Sequence, residues 1–358
     1  MTRSRKVGFK IAAVCLGLML ALVLAEVVLR AIVLATTTEE VAVEVPGPED
    51  EPSGFRDRLD NVPGDANVVR IAFLGDSNTY GLGVDADQAF PRVVGALLEE
   101  KAPGRYRTVN ISKPGADLIY EWALYNRFWR SVRPHVVVQV FAPNDLDIDL
   151  YKHSPRQSTL DVWPLRHSQL FALVQGRFAA ASFRQQTLDY LRGGSTPQMR
   201  ARAWRVVSHE IEAAKELVEG SGAVYALTHF PWLADLDDHP LQDVHDGTAA
   251  LAAKLGVPYL DLLDVFRGRE PEQVRLANDA HPNAQGHRIA AEAVTEWLVE
   301  RVLPKLDPRA ASRPVAPVSR EEILAAEVAH YHQVLRIAPE CFSARFRLLK
   351  LRAGEKRP

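Results

Sequence analysis

The chain has 358 residues, 47% hydrophobic and 25% charged, with a formal net charge of -2. That composition excludes a disordered chain, and the length suits one large domain or two ordinary ones. The near-balanced charge gives no electrostatic case for nucleic acid as a partner. The two cysteines, Cys15 and Cys341, form neither a disulfide framework nor a metal-ligand spacing.

The N-terminus sets Arg3, Arg5, Lys6 and Lys10 ahead of an apolar stretch over 11–25, which resumes after Glu26 and continues past Arg30 to residue 35. A bilayer-spanning helix needs about 20 residues, so 1–35 reads as a cytoplasmic N-terminus and transmembrane anchor. Glu26 and Arg30, one helical turn apart, can pair near the outer interface. The small-residue pattern at Val23-Leu24-Ala25 also suits signal-peptide cleavage, but the apolar run goes on beyond it, as an anchor's does. Either way the basic flank stays in the cytoplasm and the rest is expected outside the cytoplasmic membrane. Residues 36–67, rich in Thr, Glu, Pro and Asp, read as a solvated linker.

From Val68 onward, expected strands and helices alternate, which argues for a parallel sheet covered on both faces. The apolar run 68–74 is a buried strand ended by Gly75, and 90–101 is an amphipathic helix. A second strand spans 106–111. Asp117 caps a helix to 132 whose aromatic stripe (Tyr120, Trp122, Tyr125, Phe128, Trp129) reads as core. Residues 135–141 form a third strand. Residues 146–198 lose periodicity and read as an insertion near the site. Then follow a helix over 199–219, a strand over 222–228, a helix over 243–255, a strand over 257–262 and a helix from Pro282 to about 302. Prolines mark 304–320 as a second linker. Residues 321–358 form a helix pair, broken at Pro339, whose spacing faintly resembles one tetratricopeptide unit. One unit cannot bury its own apolar face, so the pair must dock on the domain or on a protein partner.

Chemistry-bearing residues fall in loops after the strands. Ser77 follows the first strand at Gly75-Asp76-Ser77, where open α/β sheets place their ligands. The alternative is that Asp76 and Ser77 merely cap the next helix. Gly115 follows the second strand and Asn144 the third. His281 lies in the polar loop Asn278-Asp279-Ala280-His281-Pro282, ahead of the last helix of the domain.

These four blocks, in this order, resemble the SGNH/GDSL hydrolase family: Gly75-Asp76-Ser77, Gly115, Asn144-Asp145 and His281. The wider run from Leu74 to Val84, the upstream Gly54-Phe55-Arg56-Asp57 and the N-terminal span with Glu26 and Arg30 are similar to the bacterial membrane-anchored branch. The resemblance covers 68–303. It implies a flavodoxin-like three-layer α/β/α sandwich with a five-stranded parallel sheet, and a serine esterase with no cofactor. It also implies roles: Ser77 as nucleophile, His281 as base, and the Ser77 and Gly115 backbone N–H groups with the Asn144 amide as oxyanion donors. With an ordinary histidine at about 6.5, activity should rise through that pH.

Two positions depart from the family's pattern. Ala142 stands where a glycine usually precedes the third-block asparagine, and Asn278 stands where the orienting aspartate is usual. Asp279, two residues before His281, can orient the imidazole instead and also stabilise the imidazolium; Asn278 is the other choice. The expected substrate is an acyl or O-acetyl ester on a small molecule or glycan of the cell envelope. An O-acyltransferase using the same acyl-serine, or a catalytically silent assembly protein, are the alternatives.

Three further patterns carry less. Gly81-Leu82-Gly83 lacks the third glycine of a dinucleotide fingerprint. The acidic and histidine cluster Asp235, Asp237, Asp238, His239, Asp243, His245 and Asp246 has no defined ligand spacing and reads as solvated surface with a helix cap. His229, after the fourth strand, suits the site rim or a structural role equally.

Overall fold

The computed structural model describes residues 10, 13–14, 16–28, 56–57, 68–148, 184–277, 279–307 and 319–354. Asn278, most of the 146–198 insertion and most of both linkers therefore lie outside the described residues.

Five parallel strands form one sheet in the order β2-β1-β3-β4-β5. They are β1 (Val69–Gly75), β2 (Tyr106–Ser112), β3 (Val136–Phe141), β4 (Val224–His229) and β5 (Tyr259–Asp261). Strands buried on both faces read as unbroken apolar runs, and all six residues of β3 are buried. Alternation sorts them between two cores. Ala72, Leu74, Val137, Phe141, Tyr225 and Leu227 face the layer holding α3 (Leu118–Val132), α4 (Pro197–Gly220) and α5 (Gln242–Leu255). Ile71, Phe73, Val136, Val138, Val140 and Ala226 face the layer of α2 (Phe90–Lys101), α6 (Leu262–Phe266), α7 (Pro271–Val274) and α8 (Ala284–Trp297). Each such large aliphatic contributes about 1.5–3 kcal/mol when fully buried. The expected three-layer sandwich is the observed one, and the aromatic stripe of α3 packs in its core.

The register brings the strand ends level. Gly75 pairs with Ser112, Leu74 with Gln139, Phe141 with His229, and His229 with Asp261. The loops after β1, β2 and β3 therefore open along one edge, at the point where strand order reverses between β1 and β3.

A third apolar cluster joins Ile119, Ala123, Ile148 and Val206 to residues of two C-terminal helices, α9 (Arg320–Ile337) and α10 (Phe342–Gly354). The helix pair thus docks on the domain itself. Part of the linker also departs from a solvated reading. Asp57 is buried, accepting from Asn110 N at 2.8 Å and pairing with Arg92 at 2.7 Å.

Residues 16–28 are helical and their large apolar side chains are exposed, Leu20 by 62% and Leu24 by 64%. Among the described residues no helix is long and apolar enough to cross a membrane; the expected anchor lies partly outside them.

Candidate active site

β1 ends at Gly75, and the four-residue helix α1 (Ser77–Tyr80) folds back over the strand end. A Cβ at Gly75 would lie 2.1 Å from Thr79 Oγ1 and 2.7 Å from Thr79 Cβ, so only glycine permits that approach. Asp76 caps α1, accepting from Asn78 N at 2.9 Å and Asn78 Nδ2 at 3.3 Å. The cap and the candidate nucleophile are therefore adjacent residues with separate tasks.

The fourth block is a pinned loop between α7 and α8. Leu276 N donates to His281 O at 2.9 Å, Asp279 N to Leu276 O at 3.3 Å, and Asn283 N to Val274 O at 3.0 Å. Asn283 caps α8, and a Cβ at Gly286 would sit 2.1 Å from Val274 O, so the helix start presses against the loop. This arrangement delivers His281 to Ser77, with Nε2 2.7 Å from Ser77 Oγ. On the other side Nδ1 lies 2.6 Å from Asp279 Oδ1, which also accepts from His281 N at 3.0 Å. A carboxylate on Nδ1 fixes the proton there and leaves the Nε2 lone pair facing the serine.

The electrostatics follow the contacts. The hydrogen bond from His281 holds the Asp279 carboxyl down at about 2 against desolvation. Burial alone would lower His281, but the Asp279 hydrogen bond and charge, with Asp76 behind, outweigh it and raise the imidazole above its ordinary value. Burial raises Asp76, and the bond from Asn78 pulls it partly back.

The second and third blocks meet beside this pair. Gly115 turns the loop after β2 at φ 72, a conformation that favours glycine. Asn144 lies in the 3₁₀ turn Pro143–Leu146, its Nδ2 donates to Ala116 O at 3.4 Å, and its amide helps to hold down the Asp76 carboxyl against burial. Ala142 is tolerated because its backbone is extended (φ -126, ψ 156), a conformation open to any residue. Asp145 holds that turn by accepting from Ala142 N at 2.8 Å.

A family profile described as GDSL-like lipase/acylhydrolase matches residues 73–289, more than half of the chain. The chain belongs to that family. Solved structures similar to this GDSL hydrolase include a putative lipolytic G-D-S-L protein from Desulfitobacterium hafniense DCB-2, at 14% identity and TM-score 0.40, with 64% of this chain and 99% of that one covered. TesA is similar at 17% identity and TM-score 0.43, over 64% and 97% of the two chains. The acetylxylan esterase Axe2 from Geobacillus stearothermophilus is similar at 15% identity and TM-score 0.40, over 65% and 96%. No curated protein matches the chain.

The hydrolase also carries two buried acids beside the site, of which its sequence marks only Asp145. Glu121 of α3 bonds Gln139 of β3, and burial, with Asp145 and Asp76 nearby, pushes its carboxyl well above the ordinary range. Burial and Asp76 do the same to Asp145. Raised values favour the protonated forms of both acids. Nothing in the local sequence marks Glu121, which looks like any polar residue on a helix.

The acidic and histidine cluster divides in two, which corrects the solvated reading for its histidines. His239 and His245 are buried, and His245 Nδ1 pairs with Asp261 at 2.8 Å. His229 is buried too and stacks on His245 with ring centroids 3.7 Å apart, so it is structural rather than part of a rim. Among the described residues no group of three or more His, Cys, Asp or Glu is placed to hold a metal ion.

Proposed function

We propose that this GDSL hydrolase cleaves an acyl or O-acetyl ester through an acyl-Ser77 intermediate, with its catalytic domain outside the cytoplasmic membrane. The observation that carries the chemistry is the unbroken chain Ser77 Oγ–His281–Asp279, at 2.7 and 2.6 Å. Ser77 Oγ attacks the ester carbonyl while His281 Nε2 takes its proton. Asp279 holds the Nδ1–H and stabilises the imidazolium. The tetrahedral oxyanion accepts from Ser77 N–H, Gly115 N–H and Asn144 Nδ2. Collapse expels the alcohol, which takes the proton from His281. Water, deprotonated by the same imidazole, then attacks the acyl carbonyl and frees Ser77.

The location rests on the basic residues ahead of the apolar segment and on the exposed apolar faces of helical residues 16–28. A small-molecule or glycan ester of the envelope fits a tethered domain of this kind.

The test is labelling of the purified chain with a fluorophosphonate probe, wild type against Ser77→Ala. Wild type should label at Ser77 and hydrolyse a chromogenic acetate ester, and the variant should do neither. A folded wild-type protein that takes up no probe would sink the acyl-serine mechanism.

A further inference from the structure

Ser343, at the start of α10, touches two loops at once. Its N–H donates to Ile148 O at 3.1 Å, and its Oγ donates to Asp117 Oδ2 at 2.5 Å. Ile148 lies four residues beyond Asn144, and the segment between is tied by Asp147 N donating to Asn144 O at 2.9 Å. Asp117 is two residues beyond Gly115 and caps α3 by accepting from Tyr120 N at 2.9 Å. Two more side chains of the C-terminal pair hold the same places. The Cys341 thiol donates to Ile148 O at 3.1 Å, and Arg347 Nη2 donates to Asp117 Oδ1 at 3.1 Å while its guanidinium lies 4.0 Å over the Tyr120 ring.

The contacts close into a ring. Asn144 Nδ2 reaches Ala116 O; Ala116 leads to Asp117, Asp117 to Ser343, Ser343 to Ile148, and Ile148 back along the chain to Asn144. Asp117 is 4% exposed, so a bond between its charge and a hydroxyl or guanidinium there is shielded from water and strong. The apolar cluster beneath the pair is separate from the two cores that flank the sheet. The pair rests on α3 and α4 through that cluster, and its bonds to Asp117 and Ile148 reach past those helices to the two loops rather than to the strands.

We propose that the C-terminal helix pair is a clamp that fixes the oxyanion-donor loops, with Ser343, Arg347 and Asp117 as positioning residues. The proposal rests on the oxyanion roles of Gly115 and Asn144 given above. Oxyanion donors act through preorganisation, and a misplacement of about 1 Å costs up to roughly a hundredfold in rate.

The experiment uses the full chain, with Ser343→Ala, Ser343→Thr and the double variant Ser343→Ala/Arg347→Ala. Turnover of p-nitrophenyl acetate is measured beside hydrogen exchange of peptides covering 113–118 and 142–148. In the double variant kcat should fall roughly ten- to hundredfold with KM unchanged, and the pH midpoint set by His281 should stay put. Ser343→Ala alone should show part of that fall, and Ser343→Thr, which keeps the hydroxyl, should stay nearer wild type than Ser343→Ala. Exchange in both peptides should quicken about tenfold or more while β3 and β4 stay protected.

Three results would overturn the clamp: unchanged kcat and exchange, a raised KM with kcat intact, or exchange that quickens across the whole domain. If wild type folds but does not turn over, the ester-hydrolase reading fails by itself, and loop exchange then decides the clamp alone.

Discussion

Replacing Asp279 by Asn tests the hydrolase at its least conventional position. The change keeps an oxygen near His281 Nδ1 and removes the charge. The carboxyl is held at about 2 against an ordinary 3.8, and at about 1.4 kcal/mol per pH unit that gap is about 2.5 kcal/mol. The side chain is 47% exposed, so solvent screening reduces the figure to roughly 1–1.5 kcal/mol. That is about tenfold in kcat/KM from the charge alone, and a misoriented imidazole would add to it. The sign of the pH effect follows from the same contact. Asp279 helps to raise His281, and the base must be neutral to act, so wild-type activity climbs through a midpoint above about 6.5. In Asp279→Asn that midpoint should move down, and an NMR titration of the His281 ring should move with it. Ester hydrolysis from pH 5 to 9 measures both effects. If Asp279→Asn keeps wild-type kcat/KM and midpoint while Asn278→Ala loses them, the orienting role belongs to Asn278 and the reasoning above is wrong.

Two other outcomes can be checked. Asn144→Ala should lower kcat roughly 10²–10³-fold while leaving the thermal midpoint nearly unchanged; a loss confined to KM would argue against an oxyanion role. Acid should unfold the domain early, because burial holds His229 well down, His239 at about 4 and His287 at about 3. The unfolded chain protonates these rings first. The stability they carry is full above about pH 6.5 and is lost as pH falls from there through about 4, each contributing a slope of up to about 1.4 kcal/mol per pH unit. Urea midpoints at pH 7.5, 6 and 5 would show the fall, and a flat series would mean the rings are not kept neutral.

The sheet was legible because strands covered on both faces cannot afford polar residues. The runs at β1 and β3 stand out for that reason, and the register then places Ser77, Gly115 and Asn144 along one edge. Asp279 was legible as one of two choices, and its contact with His281 is what the fold adds. Other parts left no local trace. Asp117 announces a helix cap, which it is, but its bonds to Ser343 and Arg347 span more than 220 residues of chain. Glu121 meets Gln139 only because α3 lies across β3. Asp57 sits in linker composition and is nonetheless buried against β2. Periodicity reports which face of an element is covered, and not which distant side chain covers it.

His281 and Asp279 share one bend while Ser77 belongs to another element. Two properties of the site thereby have partly separate sources. The bond and charge that raise the imidazole come from Asp279 inside the bend, with burial opposing and Asp76 adding from outside it, and its reach to the serine is set by where the bend sits. A substitution that shifts the segment as a body should therefore change turnover more than it changes the pH midpoint.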